Sequence, residues 1–125
     1  VDTAFVVTTD LGKKKTQDAM HKLLALKNRP TAVIAFNDYV ALDATKYTRS
    51  QGLKINKDIS FVSYANLPIT SYMDDPPLAS VEQFPYRQAE KATDILLQLI
   101  QSKGADENIP RKVILESKVM VNKED

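Results

Sequence analysis

The sequence predicts an α/β domain with a mostly parallel sheet in a three-layer arrangement, and three observations carry that prediction. Apolar, β-branched runs alternate with stretches of helical periodicity. The three glycines and six prolines punctuate the chain, and no proline interrupts a helical stretch. The run Thr31 to Phe36 is apolar almost throughout, as suits a strand covered on both faces. Strands that alternate with helices of this length imply right-handed crossovers between parallel strands. At 125 residues the chain is one domain or a piece of a larger one. Its strand-like start suggests a piece.

The elements follow in order. Ala4 to Thr8 reads as a strand, and a helix runs from Lys13 to about Lys27 with Thr16, Met20, Leu23, Leu24 and Lys27 on one face. Asn28-Arg29-Pro30 ends it, because a residue before proline disfavours the helical region. After the strand Thr31 to Phe36, Asn37 is placed to cap a helix from Asp38 to about Gln51. Val40, Ala41, Ala44 and either Tyr47 or Thr48 form its inner face, and Gly52 supplies a left-handed stop. Ile59 to Tyr64 is the next strand. Pro68 and Pro76-Pro77 argue against regular structure from Asn66 to Pro77. Ala79 to Gln83 forms a short strand, and Pro85 opens a helix to about Gln101, where its missing N–H costs nothing. Ala89, Ala92, Thr93, Leu96, Leu97 and Ile100 make the apolar stripe of that helix. Gly104 sits beside it, and Lys112 to Val121 reads as one or two terminal strands bent near Glu116-Ser117.

Composition excludes several functions. Seventeen basic against sixteen acidic residues leave a charge of +1, with no electrostatic footprint for nucleic acid or an anionic membrane. The lack of cysteine and the single histidine exclude disulfides, thiolate nucleophiles and a His-rich metal site. No apolar run approaches the ~18 residues of a membrane span. Phosphate-binding glycine loops, G-x-S-x-G and H-E-x-x-H are absent, so catalysis has no support and neither cofactor nor metal is expected.

In open α/β sheets, ligands bind beyond the carboxyl ends of the strands. That rule selects Thr8-Thr9-Asp10, Asn37-Asp38, Ala65-Asn66 and Gln83-Phe84, with Tyr86 nearby. Carboxamides donate and accept at once, which suits vicinal hydroxyls or the edge of a base. The residue chemistry leaves a second role open, with Asn37 only a helix cap and Asn66 only a turn residue. Other candidates read as structural. Lys13, Lys14 and Lys15 form a solvated face offset by Asp10 and Asp18, and His21 lies on a polar flank. Asp74 and Asp75 belong to a loop and point in different directions.

Three blocks carry a family resemblance. P-T-A-V-I-A-F-N-D-Y-V-A-L-D-A-T-K-Y (Pro30 to Tyr47), G-L-K-I-N-K-D-I-S-F-V-S-Y-A-N (Gly52 to Asn66) and P-P-L-A-S-V-E-Q-F-P-Y-R-Q-A (Pro76 to Ala89) occur in order. They resemble the signatures of the lactose/galactose repressor (LacI/GalR) family, and the terminal L-E-S-K-V-M-V-N-K-E-D is similar to its last strand. Ser63 and Ala65 replace the usual glycine and aspartate, and Asp43 replaces a glycine.

The resemblance implies a partial lobe of the type I periplasmic-binding-protein-like effector domain, mainly the C-terminal lobe, spanning 1–125. It implies effector contacts at Asn37, Asn66, Asp10 and Phe84. It also implies a homodimer interface around Leu42, Lys46 and Arg49, together with Ile69, Tyr72 and Met73 exposed on the loop. Helix 86–101 is expected to pack with a lobe that the chain lacks. The expected protein is cytoplasmic, binds a sugar or similar effector, touches no membrane, and meets operator DNA only through a missing N-terminal helix-turn-helix. The rival readings are a fragment of a periplasmic sugar-binding protein and a small α/β enzyme.

Overall fold

Three short apolar runs become neighbouring parallel strands: β1 (Ala32–Ile34), β2 (Ser60–Tyr64) and β3 (Ala79–Glu82). A fourth, β4 (Lys118–Val121), completes the sheet in the order β1-β2-β3-β4. The helices are α1 (Lys13–Leu24), α2 (Asp38–Ser50) and α3 (Pro85–Gln101). In this computed structural model, residues 2–103 and 112–122 are described, and Gly104 lies outside them. They fall into two units, 2–82 with 119–122, and 83–103 with 112–118.

In the larger unit the register sets the core. Val33 lies opposite Phe61, and Ser63 opposite Ser80. The alternation of strand side chains puts all four on one face. Met20 and Leu23 of α1, Ala44 of α2, Ile59 and Phe61 form the main buried cluster, with Val7, Val33 and Tyr47 packed against it. A smaller cluster of Ala35, Val40 and Ala41 ties the end of β1 to the first turns of α2. The expectation that residues 31–36 are covered on both faces is not met. Val33 and Ala35 turn towards the helices, whereas Ile34 on the opposite face is 74% exposed.

Other boundaries differ for identifiable reasons. Ala4 to Thr8 is not a strand: a single 3-10 turn covers Thr3–Phe5, started by the Asp2 carboxylate accepting from the Ala4 amide at 2.9 Å. A local side-chain bond of that kind competes directly with strand pairing. Helix α1 stops at Leu24, so Lys27 lies beyond it and exposed, and Ala19 takes a place on its buried face. The segment after β2, expected to be irregular, holds a 3-10 helix over Pro68–Tyr72 with the proline in its first turn. Residues 112–117 have no regular structure, leaving one terminal strand.

Helix α2 matches its expectation closely. The Asn37 side chain caps it, and Gly52 with φ +83° follows its end, a conformation that glycine adopts without cost. In the smaller unit, α3 begins at Pro85 and ends at Gln101 as expected, and none of its residues is buried.

Candidate functional site

The centre of the site is a residue the sequence left beside its neighbour. Asp38, the first residue of α2, is 0% exposed. Its Oδ1 accepts from the hydroxyls of Ser63 on β2 and of Ser80 on β3, the latter at 2.9 Å. Its Oδ2 accepts from the amide of Leu67 at 2.6 Å. One carboxylate thus joins α2, two strands and the loop after β2. Burial of a charge is tolerable when donors surround it, and the helix N-terminus adds a favourable dipole. No local signal in the sequence marks this network, because Ser63 and Ser80 face each other only through the register of β2 with β3.

The chain leaves β2 through two residues with positive φ, Ala65 at 92° and Asn66 at 47°. Three successive amides hold this turn. Ala65 N donates to Val81 O at 3.0 Å, Asn66 N to Ser80 Oγ at 2.9 Å, and Leu67 N to Asp38. Backbone strain persists where surrounding bonds over-determine it. The turn directs the Asn66 carboxamide to β3, where Nδ2 donates to Glu82 Oε2 at 3.0 Å. Asn37, half-buried at the end of β1, accepts from the Val40 amide through Oδ1 at 2.9 Å. Asn37 is therefore a helix cap, as one of its two open roles required. The residues that follow the two asparagines, Asp38 and Leu67, are bonded to each other, so the two strand ends share one polar network.

The remaining candidates are placed differently. Asp10 is exposed and no strand precedes it, because residues 4–8 do not form one. Its carboxylate accepts from the Gly12 amide at 2.8 Å, ahead of α1. Phe84 belongs to the smaller unit. It precedes α3 with φ 52°, and the Arg87 guanidinium carbon lies 5.0 Å from its ring centroid. His21 is exposed, with Nδ1 3.1 Å from the Tyr47 hydroxyl. Lys14 pairs with Asp18 at 3.0 Å, the offset expected for the basic start of α1.

On the outer side of α2, Lys46 and Arg49 are exposed and Leu42 is half-buried. Ile69 and Met73, expected to be exposed, are also half-buried, because the 3-10 helix turns them inward, whereas Tyr72 is 83% exposed. Asp74 and Asp75 do not diverge: Arg49 bridges both, at 3.3 and 2.8 Å, which ties the loop to α2. Among the described residues no group of three His, Asp or Glu could hold a metal, and no helix is long and apolar enough to cross a membrane.

The whole of this arrangement falls inside one family pattern. The model of the periplasmic binding protein-like domain matches residues 2–122. The chain belongs to that family. Its relatives are named as transcriptional repressors. An HTH-type transcriptional repressor PurR of Vibrio cholerae is 36% identical over 91 residues, covering 73% of this chain and 27% of the relative. An HTH-type transcriptional repressor CytR of Escherichia coli K12 is 34% identical over 101 residues, covering 81% and 29%. Among solved structures, a complex of the transcriptional regulator CelR with cellobiose superposes with TM-score 0.84 at 25% identity, over 97% of this chain and 36% of that one. A regulatory protein of the LacI family from Chloroflexus aggregans gives TM-score 0.81 at 24% identity, over 97% and 42%, and shows the same fold.

The LacI/GalR resemblance and the α/β class both stand, and the family's relatives here are repressors rather than enzymes. The chain spans 27% and 29% of the length of these two repressors.

Proposed function

We propose that this periplasmic binding protein-like domain is the effector-binding and dimerisation part of a cytoplasmic LacI-type transcriptional regulator, taken mainly from its C-terminal lobe. One observation supports the reading above others. Asn37 and Asn66 sit at the carboxyl ends of adjacent parallel strands, and the Asp38–Leu67 bond joins the segments that carry them. Carboxamides at that edge suit a ligand with several hydroxyls, and the CelR relative was solved with such a molecule, cellobiose. The effector is a sugar or a similar small molecule. Asp10 and Phe84 are secondary candidates for contact.

The mechanism is a population shift. A ligand that bridges two lobes favours one relative orientation, and that orientation changes the affinity of a DNA-binding head for its operator. The dimer forms through Leu42, Lys46 and Arg49 of α2 with Ile69, Tyr72 and Met73. The Arg49 bridges to Asp74 and Asp75 hold these two segments together. The alternative, a piece of a periplasmic sugar-binding protein, is separated by the residues upstream. A signal peptide there supports the alternative, and a helix-turn-helix supports the regulator.

The experiment is a thermal-shift screen of sugars on the intact protein, followed by fluorescence anisotropy with its own upstream DNA. A stabilising sugar should change operator affinity by about tenfold, the usual size of an allosteric coupling. A sugar that binds and leaves DNA affinity unchanged contradicts the proposal.

A further inference from the structure

We infer that the groove between the C-terminal ends of α1 and α2 is a further binding site, for a small organic anion with an apolar body. It lies at the opposite end of the sheet from Asn37 and Asn66 and is independent of the effector-site reading.

The connectivity places it there. Each of the two helices ends in the loop that leads into the next parallel strand, so both C-termini lie at the amino ends of β1 and β2. The two loops touch: Arg29 Nη1 donates to the Asp58 carbonyl at 3.4 Å, and Ser60 N to the Thr31 carbonyl at 2.9 Å. Beside them is a cavity of about 320 Å³, whose lining includes Leu24, Tyr47 and Leu53 together with His21, Arg29 and Gln51. That volume falls within the range of small-molecule sites.

The apolar part of the lining is fixed in advance. Leu24, Tyr47 and Leu53 are half-buried and pack against the main core cluster. The Tyr47 hydroxyl lies 3.1 Å from His21 Nδ1, a bond that joins α2 to α1 at the groove. A planar or branched apolar body can therefore lie on surfaces that need no rearrangement.

The polar part selects charge, since no carboxylate lines the cavity. Arg29 is half-buried and stands beyond the last turn of α1, so it does not serve that helix as a terminal cation. Its one printed bond is to a backbone carbonyl, and among the described residues no carboxylate pairs with it. A guanidinium fork matches a carboxylate or phosphate in two parallel bonds, and Gln51 and His21 can add further donors. The surroundings agree. Segments 21–30 and 46–58 hold seven lysines and arginines against one carboxylate, Asp58, in a chain whose totals are 17 and 16. The Asp58 side chain accepts from the Lys54 amide at 2.8 Å, and Asp74 and Asp75 reach in only to Arg49. An anion thus enters a complementary field.

The test is calorimetric titration of the intact protein with benzoate and phenyl phosphate, set against benzamide, benzyl alcohol and inorganic phosphate. At least one of the two aromatic anions should bind about tenfold or more tightly than its neutral counterparts and than inorganic phosphate; the tighter anion names the head group. On saturation the His21 imidazole signals, assigned by their loss in His21→Gln, should shift in the proton–carbon NMR spectrum. Arg29→Gln should melt like the parent and bind the better anion at least about tenfold more weakly, the size of a lost hydrogen bond to a charged group. Neutral probes or inorganic phosphate that bind as tightly as the aromatic anions overturn the inference. So do unmoved His21 signals, an Arg29→Gln affinity within about twofold of the parent, or anions that bind more weakly than about 1 mM.

Discussion

Asp38 shows how much one side chain organises. Its carboxylate satisfies two buried hydroxyls and one loop amide, and each of those donors would lose its partner without it. Asp38→Ala should therefore cost about 2–4 kcal/mol in urea unfolding, since an orphaned buried polar group costs about 1–3. A loss below about 1 kcal/mol would show that water replaces the carboxylate easily. Two other positions should tolerate or reward change. Ala65 sits at φ 92°, where a Cβ is strained, so Ala65→Gly should stabilise by about 0.5–1 kcal/mol. Thr48 is fully buried, and its hydroxyl finds no hydrogen-bond partner among the described residues. Thr48→Val should raise the unfolding midpoint, by about 1 kcal/mol of stability. A fall in either variant would contradict these readings of strain and desolvation. At this scale the asparagine positions were legible because strand ends can be located from pattern. The roles of Asp38, Ser63, Ser80 and Glu82 were not, because they depend on a register between segments distant in sequence.

Helix α2 is the element most fully readable from sequence, since its cap Asn37, its stop Gly52 and its inner face are all local signals. The same holds for the start of α3 at Pro85. Segments whose state depends on a neighbour were less readable. Ala4 to Thr8 has strand composition but pairs with no strand among the described residues, and the Asp2 cap turns its start into a 3-10 helix. Residues 68–72 form a 3-10 helix because proline at the first turn favours one as readily as it breaks others. The Arg49 bridges to Asp74 and Asp75 were invisible for the same reason, being contacts across 25 and 26 residues. Arg49 and Asp74 are largely exposed, so Arg49→Ala should cost at most about 0.5 kcal/mol globally. Hydrogen exchange at residues 73–75 should nonetheless speed up, because the bridge tethers that loop to α2. Unchanged exchange there would mean the bridge holds nothing.

For the molecule as a whole, the balance of charge and the lack of catalytic motifs agree with relatives that are repressors. The exposed face of α3, with Leu96, Leu97 and Ile100, fits a helix that needs a partner surface. The chain expressed alone should therefore scatter light above its monomer mass; a clean monomer at tens of micromolar contradicts this. The fold was legible to the level of class and family, whereas the ligand was not, since carboxamides at strand ends suit many hydroxylated molecules alike. What everything else depends on is that Asn37 and Asn66 meet a ligand as well as shaping their own backbone. The double variant Asn37→Ser, Asn66→Gly separates these roles in the intact protein, since serine still caps α2 and glycine still accepts positive φ. Calorimetric titration of that variant with the stabilising sugar should give a nearly unchanged melting temperature and an affinity at least about tenfold weaker. Equal affinity in variant and parent would show that both carboxamides serve only the fold.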